Sequence, residues 1–550
     1  MAVALLLAAV AATALLLPFV VLGNASGHDF EFHMASWMDV VQQWHQRVLY
    51  PRWAELANWG YGEPRFIFYP PASWLMGGAL SLALPWRMAP GAFYWICMVL
   101  AAACMFRLAR EWLPESAAVL AGLLYAANPY HQLHIYWRSD FAELLASAIF
   151  PLLVLYAWRT GQGDRRSGLW LGALFGATWL TNAPAAVVVT YSVGLLLAAT
   201  AVERRSWRGL LLGGGAMALG FALAAFYILP AAYEQGWVNI REVLSSGLRP
   251  SENFLFTRTG DAEHTSFNLL VSWMAMGSML VAASALLPAR RLRERRQVWW
   301  PLMALLAVSA VLMFRVSSFA WRLLPEMHFV QFPWRWLFVF QAVLVLLVAS
   351  VAARSKPAAV WTAAVLVLAA CAVLLAHNAW WDPGGVDELS RSILVRGQGY
   401  FGADEYGVRG SDHYDLDLRA GRVTVLPREE VRPGAQIRIE RWRAERKVFT
   451  VHSPQPVTAR LRLMWYPAWK VWIDGRPAAA RARPNTMEME VDVPAGESRI
   501  EVRFSRTPDR AMGIALSLGG SAVWLALLLL DGRRRTPIGG TTALRKASSH

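Results

Sequence analysis

Charge is scarce in this sequence. Only 17 % of its 550 residues are Asp, Glu, Lys or Arg, against about a quarter in a soluble domain. Cysteine is scarcer still, at three residues. Cys97, Cys104 and Cys371 all fall inside apolar stretches, which excludes a disulfide framework and a Cys-based zinc site. No P-loop, dinucleotide fingerprint or nucleophile elbow occurs, and neither does a repeat of 20–50 residues or a low-complexity tract. Nucleotide-driven chemistry, solenoid architectures and disulfide-stapled secreted folds therefore drop out together. The surplus of base over acid, +15 at neutral pH, does not imply nucleic acid, because Lys and Arg gather in short loops between apolar runs.

What is abundant is apolar surface. Hydrophobic residues make up 56 % of the chain, mean hydropathy is +0.33, and apolar runs of about 18 or more residues recur, each long enough for a membrane-crossing helix. The chain reads as a polytopic α-helical membrane protein. Its 28 tryptophans, many at run ends, fit interfacial anchoring. Residues 3–22 lack a basic leader and a good cleavage site, so they are read as a first span rather than a signal peptide. A long polar and aromatic loop follows, over 23–90. Further spans are expected near 91–108, 116–130, 142–158, 168–181, 183–201, 209–229, 267–288, 298–315, 334–352, 358–377 and 510–530. With 72–86 kept as a juxtamembrane helix, every strongly basic short loop falls on one face, including Arg290–Arg296, Arg354 with Lys356, and Arg533–Arg535. That gives twelve spans, both termini cytoplasmic, in a plasma (inner) membrane. In the long loop, Trp37, Val41, Trp44 and Val48 recur at helical spacing and predict a helix lying on the bilayer surface.

From about 380 to 508 the pattern changes to period two. Strands are predicted at 422–426, 436–442, 447–453, 457–466, 470–474, 487–493 and 498–505, with Asp474-Gly475 as a hairpin turn. The organisation that follows is a multispan region over 1–379, an all-β sandwich-type domain on the extracytoplasmic side over 380–508, and a final helix with a basic tail over 509–550.

Polar chemistry has few places to sit in such a chain. The first loop opens with Gly27-His28-Asp29-Phe30-Glu31-Phe32-His33. A helical backbone puts Asp29 and His33 on one face with Glu31 elsewhere; an extended backbone aligns all three. A partly buried carboxylate there can accept a proton from an attacking hydroxyl, while the plainer reading makes Asp29 a helix cap. Arg138, Asp140 and Glu143 form a second group. Arg138 suits bidentate phosphate binding, and the acids equally suit a capping box. Arg335, in Gln331-Phe332-Pro333-Trp334-Arg335-Trp336, sits at a span entrance, placed for a lipid-linked phosphate or for snorkelling. A metal reading of His28 and His33 lacks a strong spacing signature, and a divalent metal ion is left open. Trp465-Tyr466-Pro467-Ala468-Trp469-Lys470 is a sugar-stacking platform or, by default, strand core.

The blocks His28–His33, Tyr50-Pro51-Arg52-Trp53, Gly60-Tyr61-Gly62, Phe68-Tyr69-Pro70-Pro71, Arg138–Glu143 and Gln331–Arg335 together resemble a family of prokaryotic multispan proteins labelled 6-pyruvoyl-tetrahydropterin synthase-related. The segment Tyr466–Gly475 is similar to the distal motif of the YfhO-like membrane proteins. Both families resemble GT-C glycosyltransferases, which draw on a polyprenyl-phosphate-linked sugar at the outer membrane face. The resemblance implies a GT-C-like fold with juxtamembrane helices after the first span. It implies Asp29 as catalytic base with Glu31 in reserve, and Asp140 and Glu143 as second-loop acids. It makes Arg335 a phosphate contact and His28, His33 and Arg138 neighbours of the substrate. The implied partners are the polyprenyl-phosphate sugar donor, membrane lipids and an envelope glycan, lipid or protein acceptor, with no nucleic acid. Many GT-C enzymes carry two adjacent acids, whereas Phe30 separates them here. If this reading holds, Asp29, Asp140 and Arg335 line one cavity. A transporter or flippase of a lipid-linked glycan is the alternative; it calls for facing polar groups in mid-membrane, and Asn182 and Pro184 are the main interruptions in these spans.

Overall fold

A computed structural model describes residues 2–353, 357–427 and 434–535. Arg354, Lys356 and the tail beyond Arg535 lie outside the described residues. Eight helices among the described residues are long and apolar enough to cross a bilayer: Val3–Leu22, Ala89–Ala109, Phe141–Gly161, Ala183–Arg204, Ala262–Leu286, Pro333–Ala352, Ala358–His377 and Pro508–Asp531. Two further pairs pass the same test as bent units, Arg208–Leu223 with Ala225–Trp237 at 75° and Arg296–Leu312 with Arg315–Leu323 at 95°. The runs near 116–130 and 168–181 form shorter helices, Glu115–Ala126 and Arg165–Trp179. At 12 and 15 residues they fall short of the ~20 that span the hydrocarbon. The first breaks before Asn128-Pro129, where Asn128 caps a new short helix.

Pro333–Ala352 and Phe141–Gly161 form the centre of the helical layer, with 89 % and 72 % of their most apolar stretches buried. Val3–Leu22, Ala358–His377 and Pro508–Asp531 are peripheral and turn most of their apolar surface outward. Small residues set the closest helix approach. A Cβ on Gly172, Gly176 or Gly220 would lie 2.5–2.7 Å from a carbonyl oxygen of the facing helix, the tight backbone contact that stabilises helix pairs in lipid.

The juxtamembrane reading of 72–86 agrees with a 13-residue helix, Pro71–Ala83. The helix predicted on the bilayer surface exists as Phe30–His45, but it ends before Val48 and is covered by protein. Trp37, Met38 and Val40 are fully buried. Its polar side is claimed as well: Asp39 accepts hydrogen bonds from Leu56 N–H at 2.9 Å, Tyr400 O–H at 2.9 Å and Gln43 Nε2 at 2.7 Å. Hydrophobic spacing marked the helix without revealing that a segment near residue 400 returns to cover it.

All seven predicted strands are present, with Arg476–Ala478 and Ala480–Ala482 added. One sheet runs Val423–Pro427, Val457–Met464, Glu488–Val493, Ala480–Ala482; the other runs Gln436–Arg443, Arg446–Ser453, Gly496–Phe504, Trp469–Ile473, Arg476–Ala478. Phe449, Val451, Leu461, Val491 and Ile500 are buried in their shared core. Asp474 and Gly475 both take positive φ, 48° and 78°, the two-residue turn that matches strand twist. Apart from the two-residue strand Trp381–Asp382, residues 380–422 are short helices and loops. They pair Asn24 and Ala25 with Asp382 and Trp381, and Tyr400 with Leu56 and Trp59.

Trp53 of the first loop packs on Tyr466 and Trp469 at ring distances of 5.7 and 5.5 Å. Tyr466 and Trp469 are buried and belong to the sandwich core. Tyr466 O–H also donates to Glu234 at 2.6 Å, and Arg510 pairs with both oxygens of Glu234 at 2.6 and 2.7 Å. This buried set ties the bent helix, the last span and the sandwich together. Removing one partner of such a pair costs about 3–5 kcal/mol. Glu234→Gln is therefore expected to lower the Tm of the detergent-solubilised protein by several degrees, with part of the loss recovered in Glu234→Gln/Arg510→Met, as read by intrinsic tryptophan fluorescence.

Candidate active site

The opening motif docks because Gly27 has no side chain. A Cβ there would stand 2.1 Å from the Trp137 carbonyl oxygen, well inside van der Waals contact. With that approach open, Gly27 N–H donates to Ser139 Oγ at 3.0 Å, His28 N–H to Trp137 O at 3.2 Å and Asp29 N–H to Arg138 O at 2.9 Å. The receiving segment, His134–Arg138, is one π-helical turn ended by Ser139 in the left-handed region at φ 52°. Such turns often mark functional sites. This one aims Arg138 back toward the first loop.

Arg138 and Arg335 hold three carboxylates. Arg138 Nη2 lies 3.3 Å from both Asp29 Oδ2 and Asp140 Oδ2, and its Nη1 lies 3.3 Å from Glu143 Oε2. Arg335 Nε donates to Glu143 Oε2 at 2.8 Å, and its Nη2 lies 3.5 Å from Asp140. Its Nη1 donates to the Val330 carbonyl at 2.7 Å and to Gln331 Oε1 at 3.1 Å. Phe332 is stacked under both guanidinium groups at 5.2 and 4.8 Å. Tyr130 O–H donates to Glu143 Oε1, and His134 Nε2 is 3.5 Å from the same oxygen. Asp140 still caps its helix, accepting from Glu143 N–H at 2.9 Å, so capping and ion pairing coexist. Arg335 is buried at the span entrance and does not snorkel.

The acids differ in access. Glu143 and Asp140 side chains are 0 % and 4 % exposed, whereas Asp29 keeps 39 %. Asp29 precedes the helix Phe30–His45 yet makes no side-chain cap, which leaves its carboxylate free to face the arginine. The surrounding protein pushes the Asp29 carboxyl above the ordinary aspartate range against the pull of Arg138; the accessible surface tempers that push through solvent screening. Burial would lower Arg138, but Asp140, Asp29 and Glu143 outweigh it, so the guanidinium stays charged. Three carboxylates against two guanidiniums leave the group acid-rich, with the accessible charge on Asp29.

His33 is buried, its Nε2 3.4 Å from Tyr69 O–H, and burial pushes it down to about 4. It is therefore neutral at physiological pH. His28 is exposed and stands edge-on to Phe267 at 5.0 Å. Glu31 is exposed on the opposite side of the helix and belongs to no contact of this cluster. Helical rather than extended backbone separates it from Asp29. Asp29, Asp140 and Arg335, expected to line one cavity, are brought together as an ion-pair cluster around Arg138. His134 and Tyr69 were missed as members. The spacing of His134 four residues before Arg138 was the available signal for one, and the Phe68–Pro71 block for the other.

His134, Asp140 and Glu143 each bring one ligand-type atom within 4.8 Å of the others. Both carboxylates already face guanidinium groups, so a divalent cation there would sit against two buried positive charges. That donor set does not fit a metal ion. The arrangement can instead accept one proton at Asp29 and offer Arg138 to an anion that displaces a carboxylate from it. Because Glu143 is buried among two arginines, Glu143→Gln is expected to destabilise the fold by about 3–5 kcal/mol. Asp29→Asn, at the accessible edge, is expected to leave the Tm within a degree or two. Thermal melts of the two purified variants separate the structural acid from the available one.

No curated protein matches this chain. Among solved structures, it is similar to ArnT from Cupriavidus metallidurans bound to undecaprenyl phosphate, at 14 % identity and a TM-score of 0.43, over 67 % of this chain and 64 % of that one. It is also similar to the Archaeoglobus fulgidus oligosaccharyltransferase in its apo form, at 14 % identity and a TM-score of 0.45, over 75 % and 61 %. The chain thus spans less than two thirds of either. A family model described as a 6-pyruvoyl-tetrahydropterin synthase related domain of a membrane protein matches residues 66–382. That stretch is more than half of the sequence and runs from the first loop to the strand paired with Ala25, and the chain belongs to this family of 6-pyruvoyl-tetrahydropterin synthase related membrane proteins.

Proposed function

We propose that this protein is a membrane glycosyltransferase. In this reading it moves a sugar from a polyprenyl-phosphate-linked donor to a cell-envelope acceptor, at the extracytoplasmic face of the plasma membrane. The observation that carries the reading is Asp29: of the three acids around Arg138 it alone keeps substantial accessible surface, 39 %, while held 3.3 Å from the guanidinium. A carboxylate in that position can take a proton while a cation beside it takes up the charge of a departing phosphate.

The step balances as an inverting displacement. The Asp29 carboxylate removes the proton of an acceptor hydroxyl, and the hydroxyl oxygen bonds to the anomeric carbon. The bond from that carbon to the phosphate oxygen breaks, its electron pair leaving with the polyprenyl phosphate. Arg138 Nη2, shared by Asp29 and Asp140, gains a new anionic partner as Asp29 is neutralised. Arg335 keeps Glu143 and Asp140 in place and is the second candidate contact for the phosphate. His33, neutral beside Tyr69, adds no competing positive charge and can donate or accept a hydrogen bond near a sugar hydroxyl. The outward-facing apolar helices give a polyprenyl chain a lipid-side approach.

Asp29→Asn is expected to lower turnover by ~100-fold or more, the usual scale for loss of a general base, whereas Glu31→Gln changes it only a few-fold. Mass spectrometry of envelope lipids and glycans from cells carrying each variant, at matched membrane levels, reads the effect; an unaltered glycan profile with Asp29→Asn overturns the assignment. A base must be ionised to act, and the Asp29 pKa is raised above 3.8. Activity is therefore expected to fall with decreasing pH through a limb above the ordinary aspartate range.

A further inference from the structure

A second groove, of about 800 Å³, opens where the first loop, the bent helix pair, the sandwich edge and the last span converge. It shares no residue with the carboxylate–arginine cluster. Its polar rim is formed by Arg47, Arg52, Arg506 and Arg510, with Glu445 the single acid among the lining residues. Arg510 is spent on Glu234 through two short hydrogen bonds. Arg47, Arg52 and Arg506 have no ion pair or side-chain hydrogen bond among the described residues; Arg52 only rests over the Tyr50 ring at 5.1 Å. Burial pushes the Glu445 carboxyl up, while Arg52 and Arg510 pull it down. Three arginines thus share this groove with a single acid, Glu445.

The other wall is apolar. Leu223, Phe226, Ile514 and Leu518 line it, and Leu518 is 67 % exposed on an outward-facing span, as Leu49 at the mouth is 79 % exposed. Basic side chains above lipid-facing leucines, at the junction of a span with its polar domain, match the layering of a bilayer interface. Arginine is the side chain suited to bidentate phosphate contact. Charge complementarity favours an anionic occupant, and the open apolar wall favours a molecule with hydrocarbon chains over a soluble anion. The volume falls in the range of small-ligand sites. An ordinary bilayer lipid reaches this wall directly from the membrane.

We infer that this groove is a binding site for an anionic glycerophospholipid, its phosphate between Arg47, Arg52 and Arg506 and its chains against Leu223, Phe226 and Leu518. The site is independent of the glycosyltransferase reading. A lipid held there bridges the first loop, the last span and the sandwich edge, and so fixes the height at which the sandwich sits on the membrane.

The test is native mass spectrometry of the full-length protein released from vesicles of equal phosphatidylglycerol and phosphatidylcholine. The wild type is expected to retain phosphatidylglycerol preferentially. Arg52→Gln/Arg506→Gln is expected to lose that retention at least about fivefold, the scale of one basic contact at an anionic surface. Arg506→Gln alone, at an exposed position, guards against misfolding and is expected to give a smaller loss in the same direction. Equal retention of the two lipids, or retention unchanged in both variants, overturns the site. Displacement of the lipid by millimolar inorganic phosphate overturns the role of the chains. Displacement by an equimolar polyprenyl phosphate, itself lost in the double variant, overturns the glycerophospholipid as occupant.

Discussion

Two guanidinium groups buried in an apolar protein are the constraint around which this molecule is built. An uncompensated charge in such surroundings is prohibitively costly, so Arg138 and Arg335 each need carboxylates at close range. Their partners come from two separate places in the chain: Asp29 from the first loop, Asp140 and Glu143 from the start of one central helix. Arg335 itself stands at the entrance of the most buried helix. Satisfying both charges therefore fixes the relative position of three segments at once. The remaining donors are closed by Val330, Gln331 and the stacked Phe332. Only the edge toward Asp29 stays accessible.

That edge is kept in register by backbone contacts rather than by side chains. Gly27 lets the first loop lie on the π-turn at Trp137 and Arg138, and the Asn24–Ala25 ladder with Trp381–Asp382 closes over it from the other side. The same logic repeats one layer out. Glu63 pairs with Arg65 at 2.6 Å and accepts from Ala403 N–H at 3.1 Å, while Asp39 accepts from Tyr400. Polar side chains of the first loop are thus matched by the segment entering the sandwich, and the sandwich returns through Trp53, Tyr466 and Trp469. The motif blocks that lie far apart in sequence, Tyr50–Trp53, Gly60–Gly62 and Tyr466–Gly475, form one contiguous packing surface, which is a physical reason for them to occur together in one chain.

Much of this was legible in the sequence, and unevenly so. The sandwich strands were readable almost residue by residue, because Met487–Val493 and its neighbours alternate with the period that a half-buried strand requires. Apolar runs revealed the long helices and, to within a few residues, the two short ones, Glu115–Ala126 and Arg165–Trp179; they did not show that the first ends before a new short helix capped by Asn128. Phe30–His45 carried an amphipathic pattern whose polar face reads as solvent-facing. Asp39 and Gln43 instead meet Leu56, Trp53 and Tyr400, a partner more than 350 positions away that no local signal announces. The ion cluster was partly visible as residue types at loop edges. His134 and Tyr69 joined it only through tertiary packing.

The split acid pair takes on a definite meaning in this setting. The chain is helical from Phe30, directly after Asp29, so the Glu31 side chain turns away from the Asp29 edge. Glu31 could not stand beside Asp29 without unwinding the helix. Phe30 uses the intervening position to pack, 5 % exposed, near Phe141 at 6.4 Å, and so anchors the helix start against the span that carries Asp140 and Glu143. The acidic companions of Asp29 are supplied by that span instead, through Arg138. The three acids form a group adjacent in space, in which Asp29 remains accessible and Asp140 and Glu143 hold the cation that faces it.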